Sequence, residues 1–132
     1  GKSKVQVAVA HRGALDTRRG RVAEHDLVTE VYVVTSGGGT ILTGADLVNK
    51  VRRPPDNRAV QFLNGPGNNA ENVRDGVTHH LKEGDVFVIP AGTGHEFTEI
   101  PDHITYMMVR VDPDKVVPLM DATASRRYLD EQ

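Results

Sequence analysis

The sequence has no cysteine and no tryptophan, and the first absence is the more restrictive. Without a thiol there is no disulfide, no thiolate metal site and no cysteine nucleophile. Any metal must be held by imidazole and carboxylate, which suits zinc, iron, manganese, nickel or copper and does not choose among them. Aromatics are sparse, with three Tyr and three Phe, which speaks against a base-stacking platform. A net charge of −2 speaks against a general nucleic-acid binder. No apolar run is long enough to span a bilayer. There is no Gly-x-Ser-x-Gly elbow, and Gly37-Gly38-Gly39 lacks the Lys-Ser/Thr and helix start of a phosphate loop. Missing cysteine is compatible with cytoplasm or periplasm, so the compartment stays open. The chain opens on Gly1 rather than Met, as it would after loss of a leader or tag.

What is present is mostly β patterning. The 132 residues suit a single domain able to bury a core without staples. Residues 4–10 place Val5, Val7 and Val9 on one face at period two. Residues 30–35 have strand composition and run into Ser36-Gly37-Gly38-Gly39, read as a breaker before a short strand at 40–42. Strands are expected at 77–81 and 86–89 around the turn at Gly84, and at 96–100 and 104–111 joined tightly at Pro101-Asp102. Short strands between glycine-rich turns imply a sandwich or closed barrel. Residues 43–75 read as a long solvated insertion with one strand at 59–63, locally basic through Arg52, Arg53 and Arg58. Residues 114–131 read as a short helical tail interrupted by Pro118, with Asp121 or Thr123 capping its second half. The domain is expected to be 1–132, with its core at about 20–111.

The most specific stretch runs from Gly84 through Pro90, Gly92 and His95 to Glu99. Gly84 permits a turn into a strand, and Pro90 with Gly92 makes a sharp bend. His95 then enters the next strand, and period two puts Phe97 and Glu99 on its face. This spacing resembles the second sequence motif of the cupins, with Glu99 where Asn is usual. The first cupin motif is matched in part: Glu30 is followed after six residues by Gly37, and His25 stands at the second histidine position. Ala23 occupies the first histidine position, and Gly20 sits one residue from the expected opening glycine. The chain is similar to small single-domain cupins of the RmlC-like superfamily whose first motif is degraded.

The resemblance implies an all-β cupin barrel, a jelly roll, with a short C-terminal helix. It also implies His25, Glu30 and His95 as ligands of a divalent transition metal, a two-histidine, one-carboxylate set with open positions. Glu99 is then a candidate fourth ligand or proton-transfer group, and Tyr32, on the Glu30 face, a candidate hydroxyl donor. Asp26 points away by alternation, and His11, His79, His80 and His103 have no partner by spacing. Three functions follow as expectations. One is a metal-dependent enzyme acting on a small oxygenated molecule by isomerase, lyase or dioxygenase chemistry. Another is a small-ligand-binding cupin with weak or no metal, and the third a metal-free isomerase using His95 with Glu99. A homodimer is expected, with residues 4–10 as the candidate edge.

Overall fold

The computed structural model describes residues 1–132, arranged as ten β-strands, a π-helical segment and one α-helix. Two long strands, β3 (Thr29–Gly44) and β10 (Gly94–Asp112), pair antiparallel and pass through both sheets of a sandwich. Residues 29–37 and 104–111 join β1 (Lys4–Leu15) and β9 (Val86–Ile89) in one sheet, ordered β1-β10-β3-β9. Residues 40–44 and 94–99 join β2 (Val22–His25), β5 (Val51–Arg52), β6 (Gly67–Ala70) and β8 (Val77–Lys82) in the other. Its order is β5-β6-β2-β10-β3-β8, and a separate ribbon pairs β4 (Asp46–Val48) with β7 (Asn72–Arg74). Antiparallel sheets with one short C-terminal helix are the architecture expected from the sequence.

The corners correct two expectations. Ser36-Gly37-Gly38-Gly39 is not a breaker, because β3 continues through it. Gly37 sits at φ +70, where a Cβ would run into the carbonyl of His103. A Cβ on Gly38 would lie 2.5 Å from the carbonyl oxygen of Leu81. Glycine here allows β3 to bend from one sheet to the other while strands on both sides stay close. Pro101-Asp102 likewise lies inside β10, where the register shifts between Glu99 and Ile104, rather than in a turn between separate strands.

Between the sheets lies a core built from Tyr32, Val34, Ile41, Ile89, Phe97, Ile104 and Tyr106, among others. The Tyr32 and Tyr106 rings are 4.3 Å apart and those of Phe97 and Tyr106 5.8 Å, so half of the chain's few aromatics form one floor.

Residues 43–75 are more structured than a solvated loop. They carry four short strands and, where a strand was expected at 59–63, a π-helix at Ala59–Asn64. Packing decided that: Phe62 lies 5.7 Å from the Tyr128 ring of α1 (Ala122–Asp130), overriding the local β pattern. The basic residues are engaged. Arg53 is buried and donates to the carbonyls of Glu24 and Asn68, Arg52 pairs with Asp26, and Arg58 bonds the Tyr128 hydroxyl. The tail becomes helical only beyond Pro118, with Asp121 as cap, accepting from the Ala124 amide at 2.8 Å.

Gly37→Ala is expected to lower the unfolding free energy by about 3 kcal/mol in urea titration, from positive φ plus the carbonyl clash. Gly13→Ala, which meets nothing within 4 Å, is expected to stay within about 0.5 kcal/mol of the parent. Equal effects at the two positions would refute the corner argument.

Candidate metal centre and pocket

His25 ends β2, Glu30 lies on β3 and His95 enters β10, and the bend between β9 and β10 stitches them together. The Gly92 amide donates to the His25 carbonyl at 2.7 Å, and the Ala91 amide donates to Thr29 Oγ1 at 3.1 Å. Gly92, at φ +80, supplies the backbone conformation that the bend requires. His95 is registered opposite Ala23 of β2.

All three side chains are buried, and one donor atom from each lies within 4.8 Å of the others. His25 Nε2 is 3.6 Å from Glu30 Oε1, and His95 Nε2 is 3.5 Å from Glu30 Oε2. Ligands held about 2.0–2.2 Å from one small ion stand roughly 3–3.5 Å apart, so these separations suit a shared ion. His95 Nδ1 donates to the Thr93 carbonyl at 3.1 Å. In the neutral ring that leaves Nε2 a bare lone pair aimed at a carboxylate. His25 Nδ1 is buried without a hydrogen-bond partner, so no second bond fixes that ring. The residues present fit a metal through three donors, with one imidazole oriented and one not.

Glu30 has two further partners. Arg110 Nε donates to Oε1 at 3.0 Å, and the Tyr32 hydroxyl donates to Oε2 at 2.9 Å. Burial pushes the Glu30 carboxyl up, but hydrogen bonding with His95 and the fields of His25, His95 and Arg110 outweigh it and bring it down to about 2. Burial drives the His25 imidazole down to about 3, against the pull of Glu30, so the ring is neutral at ordinary pH. Burial, then the Glu30 charge, pushes the Tyr32 phenol well above its ordinary value, so its hydroxyl stays protonated.

Tyr32 thus touches the centre as a donor to Glu30. Glu99 does not reach it. Phe97 pairs with Ile41 while Glu99 pairs with Thr40, so Thr98 is an extra residue, a bulge that reverses the alternation. Glu99 is exposed and lines a separate hollow with His80 and His103. The structure thus places it outside the buried group of His25, Glu30 and His95, where the spacing led one to expect it. Among the other histidines, His79 and His80 bond Thr43 and Thr40, and His11 stacks on His103.

Sequence reasoning missed Arg110. Its signal was an arginine in phase with Ile104, Tyr106 and Met108 along β10, an inward position that calls for a buried acid. Also missed was the cavity of about 410 Å³ beside the centre, whose lining includes Tyr32, His95 and Ala23 together with Arg12, Arg19 and Arg21. Arg12 Nε donates to the Tyr106 hydroxyl at 3.0 Å, with its guanidinium 5.4 Å from the centre of the Phe97 ring.

Residues 71–132 match the family model of the AraC-like ligand binding domain, a stretch that includes His95 but neither His25 nor Glu30. No curated protein matches the chain. Among solved structures it is similar to the capsular polysaccharide assembling protein CapF from Staphylococcus aureus, at 16% identity and a TM-score of 0.52, over 89% of this chain and 26% of that one. BH2720 from Bacillus halodurans is 12% identical, with a TM-score of 0.50, over 89% of this chain and 65% of that one. RmlC from Streptococcus suis, solved with dTDP-D-xylose, is 14% identical, with a TM-score of 0.47, over 94% of this chain and 49% of that one. At such identities the first two likenesses show the fold alone, and the chain spans only part of each of these proteins.

The buried groups give acid stability a definite sign. Between the ordinary 6.5 of histidine and about 3, the unfolded chain takes up a proton that folded His25 refuses. Glu30 adds the same sign between 4.5 and about 2, its contribution being present above that window and lost as pH falls through it. Urea midpoints of chelator-treated protein are therefore expected to fall as pH drops from about 7 to about 4, and less steeply in His25→Gln. Equal slopes in the two proteins would contradict a buried neutral His25.

Proposed function

We propose that the chain is an RmlC-like cupin and a metal-dependent enzyme acting on a small oxygenated molecule. Its ion, a divalent transition metal such as zinc, iron, manganese or nickel, is held by His25, Glu30 and His95. The supporting observation is the convergence of two imidazole nitrogens on one carboxylate at 3.6 and 3.5 Å. When bound, such an ion supplies Lewis acidity toward a carbonyl, carboxylate or enolate oxygen, and three protein ligands leave positions for water or substrate. Around it, Thr93 orients His95, and Arg110 and Tyr32 hold Glu30 ionised and in place. Tyr32, kept protonated and committed to Glu30, positions the ligand rather than accepting a proton. Leu15, Phe97 and Ile100 give the cavity an apolar wall that excludes water from one side of the reacting molecule.

A second reading, a small-ligand-binding cupin without chemistry, is favoured by one observation. The Arg110 guanidinium already compensates the Glu30 charge, so the centre is not obliged to hold a cation. The match to an AraC-like ligand binding domain is consistent with that role.

The partner we propose is a second copy of the chain, and the surface is broader than the edge strand alone. On the outer face of the first sheet Val5, Val7 and Val9 stand opposite Val111, Val109 and Met107. The pairing continues through Val31 and Val33 of β3 to Val88 and Val86 of β9. Val9 is 76% exposed. No charged residue interrupts the patch, and His11, Thr105 and Thr35 bound one end of it. A contiguous exposed apolar face of this kind marks an interaction surface. An uncharged face set against its own copy meets no like-charge repulsion.

Protein expressed without a histidine tag is expected to carry about one transition-metal ion per chain by elemental analysis. His25→Ala and His95→Ala should lose it, and Glu99→Gln should keep it. A metal-free wild type moves the assignment to the binding reading. In sedimentation velocity the wild type should run as a dimer and Val7→Glu as a monomer; a monomeric wild type at micromolar concentration would exclude self-pairing.

A further inference from the structure

Arg12 on β1, with Arg19 and Arg21 on the segment leading into β2, brings guanidinium groups to the cavity beside the metal centre. None of them has a carboxylate partner. Arg12 uses only Nε, on the Tyr106 hydroxyl, and the side chains of Arg19 and Arg21 make no hydrogen bond or ion pair. The cavity's one acid is already engaged: Glu96 pairs with Arg18 at 2.7 Å and accepts from the Arg21 backbone amide. A chain with a net charge of −2 therefore gathers uncompensated positive charge at one cavity, which focuses the field on whatever enters it.

The geometry points to a small organic oxyanion as the occupant, its carboxylate or phosphoryl group on Arg12, Arg19 and Arg21 and its other end toward His95 and Tyr32. Guanidinium forks with unused Nη groups suit either oxyanion. Arg12 is the preorganised member, held by Tyr106 and stacked over Phe97. The organic body is called for by Leu15, Phe97 and Ile100 on the wall. Room for it comes from Ala23, which lines the same cavity and is registered opposite His95, where the cupin motif would place an imidazole. About 410 Å³ lies within the range of small-molecule sites. This inference deepens the ligand half of the function proposed above and does not depend on the metal half.

The test is calorimetric titration of the chelator-treated full chain with malonate, with inorganic phosphate, and with uncharged 1,3-propanediol. At least one anion is expected to bind saturably, more weakly as salt is raised, while the diol gives no saturable heat. Malonate and phosphate differ in shape, so the tighter of the two tells carboxylate from phosphoryl recognition. Arg19→Gln and Arg21→Gln, at exposed positions without partners, should each weaken the anion about tenfold. Arg126→Gln, an equal charge loss on α1, should leave it unchanged. Anions that bind no better than the diol, or an Arg126→Gln loss matching that of Arg19→Gln, would overturn the inference. Metal uptake without anion binding removes this inference alone, and anion binding without metal uptake removes only the metal proposal.

Discussion

Glu30 is a carboxylate taken almost wholly out of water, 2% exposed, and its neighbours are arranged to keep it charged there. Taking such a charge from water costs several kcal/mol, and breaking a buried pair by removing one partner costs about 3–5 kcal/mol. Arg110 and Tyr32 offset that cost from the same sheet, each through a hydrogen bond to a different oxygen. The side of the carboxylate left to the imidazoles is the side on which an ion would sit. His25, neutral and without a bond of its own, is in place because β2 and the Gly92 bend hold its backbone. The centre is thus charge-balanced before any ligand arrives, which is why a metal role and a binding role both remain compatible with its electrostatics.

The geometry around Glu30 depends on two strands changing sheets. Were β3 to stop at Gly37, Glu30 and Ile41 would belong to separate elements and the aromatic floor would have no common frame. The glycine run in β3 and the register shifts in β10 place Glu30 and His95 on the inside of the same sandwich, although they pair with different neighbours. The bulge at Thr98 ends the run of inward residues after Phe97. It fixes the reach of the pocket by turning Glu99 out to solvent, leaving arginines as the only charged groups besides the engaged Glu96 to line the cavity.

Much of this was legible in the sequence where side-chain period and turn chemistry agreed. The strand at Val86–Ile89, the bends at Gly84 and Gly92, and the Asp121 cap follow from local residue chemistry. What could not be read was set by distant strands. A glycine triplet is a breaker in isolation and a corner when two other backbones press on it. The alternation that placed Glu99 beside His95 is sound until one extra residue enters the ladder, and nothing in Phe97-Thr98-Glu99 announces a bulge. Arg110 became meaningful only once the β3–β10 register set it directly across from Glu30. The Arg12, Arg19 and Arg21 cluster was invisible because Arg12 lies on β1 and the other two on the connection to β2, and they converge only in space.

The account stands or falls on Glu30 joining both imidazoles at one point. The most direct measurement is the ¹⁵N spectrum of the histidine side chains as zinc is added to one equivalent. The account predicts that the His25 and His95 ring nitrogens shift together and saturate together, and that Glu30→Gln abolishes the joint response. Shifts confined to exposed imidazoles such as His11 and His80, with His25 and His95 unmoved, would contradict it.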